Sequence, residues 1–317
     1  MTLVTRRLPL WMPAAALCLL ANLAHAETGK LLLTGGVSSV DGAAGGGLTP
    51  WAVIGTNATD GEVGATLHFT RLSTSDYGLS SYGATVGINN RWELSLARQD
   101  FDASPTIALN GIAAFGVKPG QHVTMDTLGV KVRVAGEAVL DTDTWMPQIA
   151  VGLEHKQIQP GSLQSVIDFL GANTAGTDVY ASATKLLLEQ GLLLNATLRN
   201  TDANQNGLLG FGAAGTTGAQ SPGRRWQAEF SAAYLLSRQW AIGAEYRSKP
   251  NNLEALGRAN NLGNALHEDD WKDLFMAYAP SKHASFTLAY VDLGQIIPGI
   301  TANRKQSGWY LSGQFAF

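Results

Sequence analysis

The stretch that most constrains the fold is the last one, residues 307–317, SGWYLSGQFAF. Successive side chains of an extended strand point to opposite faces. Trp309, Leu311, Gly313, Phe315 and Phe317 therefore share one face, and Tyr310, Ser312 and Gln314 share the other. A strand that is apolar on one face and ends on an aromatic residue matches the closing strand of a transmembrane β-barrel. There the apolar face meets lipid and the terminal aromatic sits in the interfacial girdle. Such a fold demands more of the chain: further strands of the same pattern, an export signal, and apolar residues dispersed rather than gathered into a long helix.

All three are legible. Arg6 and Arg7 precede an apolar run over residues 8–23, and Ala24-His25-Ala26 is a small-x-small site, so residues 1–26 are expected to be a signal peptide cut before Glu27. Pro9 and Pro13 interrupt the run, which disfavours a retained membrane anchor. The single cysteine, Cys18, falls within that segment, so the exported chain is expected to hold no disulfide and no thiolate metal site. Loss of Arg6 and Arg7 takes Lys+Arg from 22 to 20 against 25 Asp+Glu, which leaves no basic footprint for nucleic acid. Charged residues make up 15% of the chain and glycine 36 of its 317 positions, whereas an ordinary soluble domain carries about 25% charge.

Regular alternation begins near residue 62. Val63, Ala65, Leu67 and Phe69 alternate with Thr66, His68 and Thr70; Tyr82, Ala84, Val86 and Ile88 alternate with Thr85 and Gly87. Asn89-Asn90 reads as a tight turn. The clearest pattern sets Trp226, Ala228, Phe230, Ala232, Tyr234 and Leu236 against Gln227, Glu229 and Ser231. Short connections near 90, 138–144, 190, 237 and 281 alternate with long ones at 102–121, 157–177, 201–223, 249–269 and 294–306. Outer-membrane barrels have this asymmetry, with short periplasmic turns and long extracellular loops. Within one long connection, Leu163, Val166, Ile167 and Leu170 fit a short amphipathic helix.

Residues 62–317 are thus expected to form an all-β, antiparallel up-and-down transmembrane barrel of twelve strands. Residues 27–61 are Gly-rich; they either plug the barrel or add two strands to make fourteen. The Gly/Ala run at 42–47 is followed by Leu48-Thr49-Pro50, not by the Lys-Ser/Thr and helix of a phosphate loop. Trp92, Trp145, Trp226, Trp240, Trp271, Trp309 and Phe317 lie at strand ends, where they are expected to form the interfacial girdles of a Gram-negative outer-membrane protein. Outer-membrane lipid, lipopolysaccharide and the barrel-assembly machinery are the partners this placement implies.

With the faces assigned, Lys131, Arg133, Glu154, Lys156, Lys185, Arg199, Glu229, Glu245, Arg247 and Asp273 are expected to line the lumen. Both signs are present, without the bias of a strongly ion-selective pore. A narrow channel for small solutes is the favoured reading; the alternative is a lumen filled by ion pairs, with a structural or assembly role. A barrel lipid hydrolase requires a serine and a histidine within hydrogen-bond reach. His122 and His155 stand near strand ends, but no serine sits in a GxSxG elbow, so no catalytic residue and no cofactor is assigned. Asp269 and Asp270, beside His267, Glu268 and Asp273, form the densest acidic cluster. They are a weak candidate cation site, lacking the glycine and spacing of a calcium loop.

Eight separated blocks, in order, resemble a proteobacterial family catalogued as a domain of unknown function, number 3034 (DUF3034). They are TGGVSSVDGAAGGGLTPWAVIG, LGVKVRV, WMPQIAVGLEHK, YASATKLLLEQGLLLNATLR, NQNGLLGFG, LLSRQWAIGAEYRSKPNNL, EDDWKDLFMAYAP and AYVDLG. The resemblance spans nearly the whole exported chain. It implies an outer-membrane protein and supplies no catalytic residue and no ligand.

Overall fold

The computed structural model of the chain describes residues 30–102, 116–118, 120–138, 145–213, 223–298 and 304–317. The expected signal peptide, with Cys18, lies outside these residues, as does most of the expected turn at 138–144.

Two short strands come first, β1 (Val37–Ser38) and β2 (Ala44–Gly45). Twelve long ones follow. They are β3 (Val63–Thr74), β4 (Gly78–Ile88), β5 (Trp92–Asp102), β6 (His122–Ala135), β7 (Gln148–Gln159) and β8 (Ala175–Leu187). Then come β9 (Leu192–Thr201), β10 (Arg225–Leu235), β11 (Trp240–Arg247), β12 (Trp271–Ser281), β13 (Ala284–Gln295) and β14 (Lys305–Ala316). Helices α1 (Gln164–Leu170) and α2 (Glu254–Ala259) lie in two of the long connections.

Strands β3 to β14 form one closed antiparallel ring, sealed by β14 against β3 from Gly308↔Thr74 to Ala316↔Thr66. Beyond that register, Phe317 N donates to Ala65 O and Ala65 N to Phe317 O. The closing strand therefore pairs with β3, and the barrel has twelve strands, not fourteen. Strands β1 and β2 form a separate pair.

The alternation read from the sequence is the alternation of the wall. In β10, Trp226, Phe230 and Tyr234 are exposed while Gln227, Glu229 and Ser231 are buried. In β14, Trp309, Leu311 and Phe315 face out and Tyr310 and Ser312 face in. This continuous outward apolar band is far larger than a soluble surface tolerates; it is the lipid-facing belt of an outer-membrane-type barrel. Asn89 and Asn90 both take positive φ (53° and 46°), the backbone of a two-residue hairpin turn that asparagine accepts at low cost.

Two assignments are corrected. Lys185 faces outward: Asp178, Tyr180, Ser182, Thr184 and Leu186 are the buried positions of β8, and Lys185 falls between them. The continuous run Leu186-Leu187-Leu188 had hidden that parity. Trp271 is an interior residue, 6% exposed, so it belongs to no girdle. The other aromatics do lie on the outer surface, from Trp240 at 38% to Trp145 at 97% exposure.

Candidate functional site

The lumen is the candidate site, and an inlay of residues 30–58, buried throughout from 37 to 56, occupies it. Their glycines let the backbone fold into a compact inlay. Ser39 N bonds Ala43 O, Val40 N bonds Gly47 O, and Trp51 N bonds Ala44 O, all at 2.9–3.0 Å. Glycine is required at several of these positions. A Cβ at Gly45 would stand 1.9 Å from the backbone oxygen of Thr49, and Gly42 has φ +97° with its would-be Cβ 2.8 Å from Ala97 Cβ.

A buried backbone needs partners for its N–H and C=O groups, and here the wall's side chains supply them. Glu93 accepts from Ala44 N (3.0 Å) and Gly55 N (2.8 Å). Glu245 accepts from Leu48 N (2.8 Å) and Thr49 Oγ1 (2.6 Å). Thr184 Oγ1 accepts from Ala52 N, and Gln148 Nε2 donates to Ala52 O. Thr197, Ser182 and Asn195 all donate to Pro50 O. Lys131 Nζ bonds Ala44 O and Trp51 O while pairing with Glu93 at 3.0 Å.

Towards the long-loop end the contacts become ionic. Asp41 of the inlay meets Lys156 at 3.2 Å and Arg247 at 2.9 Å. Lys156 also meets Asp178 at 3.1 Å. Arg199 binds Glu154 (2.7 Å), Glu229 (2.5 Å) and Asp178 (3.3 Å). All of these groups are buried. Burial by itself raises the Asp41 carboxyl, but the Lys156 ammonium and Arg247 guanidinium outweigh it and hold that group well below the usual carboxylate range. The connection after β9 closes the site from the other side. Asn206, with φ 61°, donates to Asp41 and accepts from Lys156 and Arg247.

The structure thus brings Lys131, Glu154, Lys156, Arg199, Glu229, Glu245, Arg247 and Asp273 together inside the barrel. Arg133 is half-buried near the short-turn end, paired with Glu137 and, at 3.4 Å, Asp60. Asp41, Glu93, Asp178 and Asn206 were absent from the expected lumen set. Parity does place Glu93 inward beside Ser95, although it is missing from that set, and Asp178 was open to the same reading because it shares its face with Tyr180. Asp41 and Asn206 could not, because their partners lie far away in sequence.

Several wall atoms have no hydrogen-bond partner among the described residues: both Asp273 oxygens, Glu154 Oε1, Glu229 Oε2 and both ring nitrogens of His68. The acidic cluster does not converge. Asp269 accepts from Gln295 N and pairs with His267, while Asp270 accepts from Tyr246 and Lys249 N. No cluster of metal-binding side chains exists among the described residues. His122 pairs with Asp100 (2.6 Å) and His155 with Thr177 (3.0 Å).

Lys30 anchors the start of the inlay by donating to Ile54 O at 2.6 Å. Burial pushes its ammonium down to about 7, in spite of Glu137 and Glu93 nearby. The seated state then binds fewer protons than the released one, so seating strengthens as pH rises from 7 and weakens as it falls towards 7. The slope is at most about 1.4 kcal/mol per pH unit. Melting curves between pH 9 and pH 7 should show Lys30→Met gaining on the native chain as pH falls; parallel curves would reject this role for Lys30.

The sequence matches the model of a family described as protein of unknown function (DUF3034) over residues 34–314, and the chain belongs to that family. No curated protein matches it. Among solved structures it is similar to the NanC porin, at 12% identity and a TM-score of 0.48, covering 79% of this chain and 98% of that one. It is similar also to the KdgM porin in complex with disordered oligogalacturonate, at 8% identity and a TM-score of 0.47, covering 80% and 99%. Outer membrane phospholipase A from Escherichia coli is a third, at 11% identity and a TM-score of 0.39, covering 79% and 89%.

Proposed function

We propose that this family member is an outer-membrane channel for small polar solutes, held shut by its own N-terminal inlay. One observation carries the reading: the wall behind the inlay is lined by ionisable and hydrogen-bonding side chains rather than apolar ones. A permanently filled interior gains nothing from buried charge, because taking ions out of water costs several kcal/mol each and apolar packing does as well or better. A wall that must hold water whenever the inlay leaves needs those same groups. The unpartnered oxygens of Asp273, Glu154 and Glu229 support a surface made for water as well as for the inlay. Insertion by the barrel-assembly machinery, contact with lipopolysaccharide and export by the N-terminal signal belong to the same proposal.

The test is a tether. Thr49 Oγ1 and Ser231 Oγ stand 2.5 Å apart, one on the inlay and one on β10, close enough for cysteines at both sites to form a disulfide. In planar bilayers the native chain is expected to show infrequent openings. Oxidised Thr49→Cys/Ser231→Cys should show none, and reduction should restore them. Openings that persist in the fully oxidised protein would mean that solute does not pass where the inlay sits.

A further inference from the structure

A second feature lies between the inlay and the long loops, at the opposite end of the barrel from Phe317. It is a cavity of about 110 Å³. Thirteen of its eighteen lining residues are Leu, Ile or Val, among them Leu79 of β4, Leu170 of α1, Leu208, and Leu293 of β13. It is therefore chemically unlike the charged lumen beneath it. Apolar cavities of this kind stay dry, and one of about 150 Å³ admits benzene. Helix α1 supplies part of the roof, with Ile167 and Leu170 buried in the apolar cluster that caps this end of the barrel.

Four lining residues carry polar groups, Thr74, Tyr77, Gln205 and Trp271, and two of these hold a buried atom without a partner. Trp271 Nε1 is a buried donor and Gln205 Oε1 a buried acceptor, and neither has a hydrogen-bond partner among the described residues. Trp271 cannot turn away freely, because Lys249 Nζ packs on its ring at 3.8 Å and itself pairs with Glu268 at 3.1 Å. The backbone of Gln205 is held as well, its main-chain N–H donating to Glu268 Oε1 at 2.8 Å. Ligand pockets combine such apolar walls with a few placed polar groups. A hydroxyl on an apolar body both accepts from such a donor and donates to such an acceptor, while its carbon atoms suit the walls.

We infer that this cavity binds a small apolar molecule of about five or six heavy atoms carrying a single hydroxyl, the size following from the cavity volume. The site does not depend on the channel reading, since a barrel that never conducts would bind the same ligand.

Calorimetric titration of the full chain, refolded in detergent, tests it with cyclopentanol and with cyclopentane. The native chain should give saturable heat with cyclopentanol and bind cyclopentane about tenfold more weakly, because cyclopentane leaves both polar atoms unmet. Val166→Phe, which fills the cavity from α1, should weaken cyclopentanol at least about tenfold against the same detergent background. Where that variant fails to show the mobility shift of a folded barrel, Leu208→Phe takes its place with the same expectation. Trp271→Phe should narrow the gap between the two ligands, since only the Gln205 acceptor then remains for the hydroxyl. Absence of saturable heat in the native chain, or cyclopentanol binding untouched by a filled cavity, overturns the site; equal binding of the two ligands by the native chain overturns the hydroxyl assignment.

Discussion

Deleting residues 30–58 is expected to convert the barrel into a steadily conducting pore with a weak preference for cations. The strands themselves are expected to survive, because each barrel neighbour pairs with the next through its own ladder and the inlay contributes no strand to the ring. The wall's charges also keep partners within the wall: Lys131 keeps Glu93, and Arg199 keeps Glu154, Glu229 and Asp178. Groups that lose inlay contacts, such as Glu93, Glu245 and Gln148, regain them from water. The cation preference follows from the sign of the exposed lumen. Glu93, Glu154, Asp178, Glu229, Glu245 and Asp273 face Lys131, Lys156, Arg199 and Arg247, with Arg133 at the mouth as a fifth cation. A ring system with a carboxylate excess favours cations. The expectation from sequence was a slight basic excess, and moving Lys185 out while bringing Glu93 and Asp178 in reverses it. Single-channel recording with a salt gradient gives both quantities. A folded deletion variant that passes no more current than the native chain would falsify the inlay as the gate.

Asp41→Ala carries the second large effect. Arg247 then retains Glu229 only at 3.5 Å, together with the Leu48 and Asn206 oxygens, and Lys156 retains Asp178 and Glu154. Removing one partner of a buried ion pair costs about 3–5 kcal/mol when the remaining charge stays dry. Here the protein has an escape, since inlay release lets water reach both cations. The measured loss is therefore capped at the cost of release, and any shortfall below about 3 kcal/mol reappears as a higher open probability. Urea unfolding and bilayer recording must be read on the same variant. A loss under about 1 kcal/mol with unchanged current would show that Asp41 does not hold the inlay.

The wall was legible in the sequence because each strand announces itself locally. Trp226 to Leu235 alternates without a break, and the parity of Gln227, Glu229 and Ser231 needs no partner to be read. Lys185 failed where a run of three leucines erased parity. Trp271 failed because a tryptophan beside a strand end was read as girdle, although it shares its face with inward Asp273; Lys249 and Arg247 on its ring place it inside. The inlay was legible as a Gly-rich stretch with two possible fates. What decided between them was non-local: Ser38 meets Gln314 across 276 positions and Asp41 meets Arg247 across 206. No pattern within a window of residues carries such contacts.

The way β14 closes on β3 has a consequence for assembly. The inlay immediately precedes β3, and its partners are spread all the way from β3 to β14. It cannot be satisfied until the last strand has been placed, and the last strand seals the space it must occupy. Contacts between the two ends of a chain are the slowest to form, since each requires closure of a long loop. Nascent wall and unseated head are therefore committed in one event, with the first part of the protein to be made among the last to find its place.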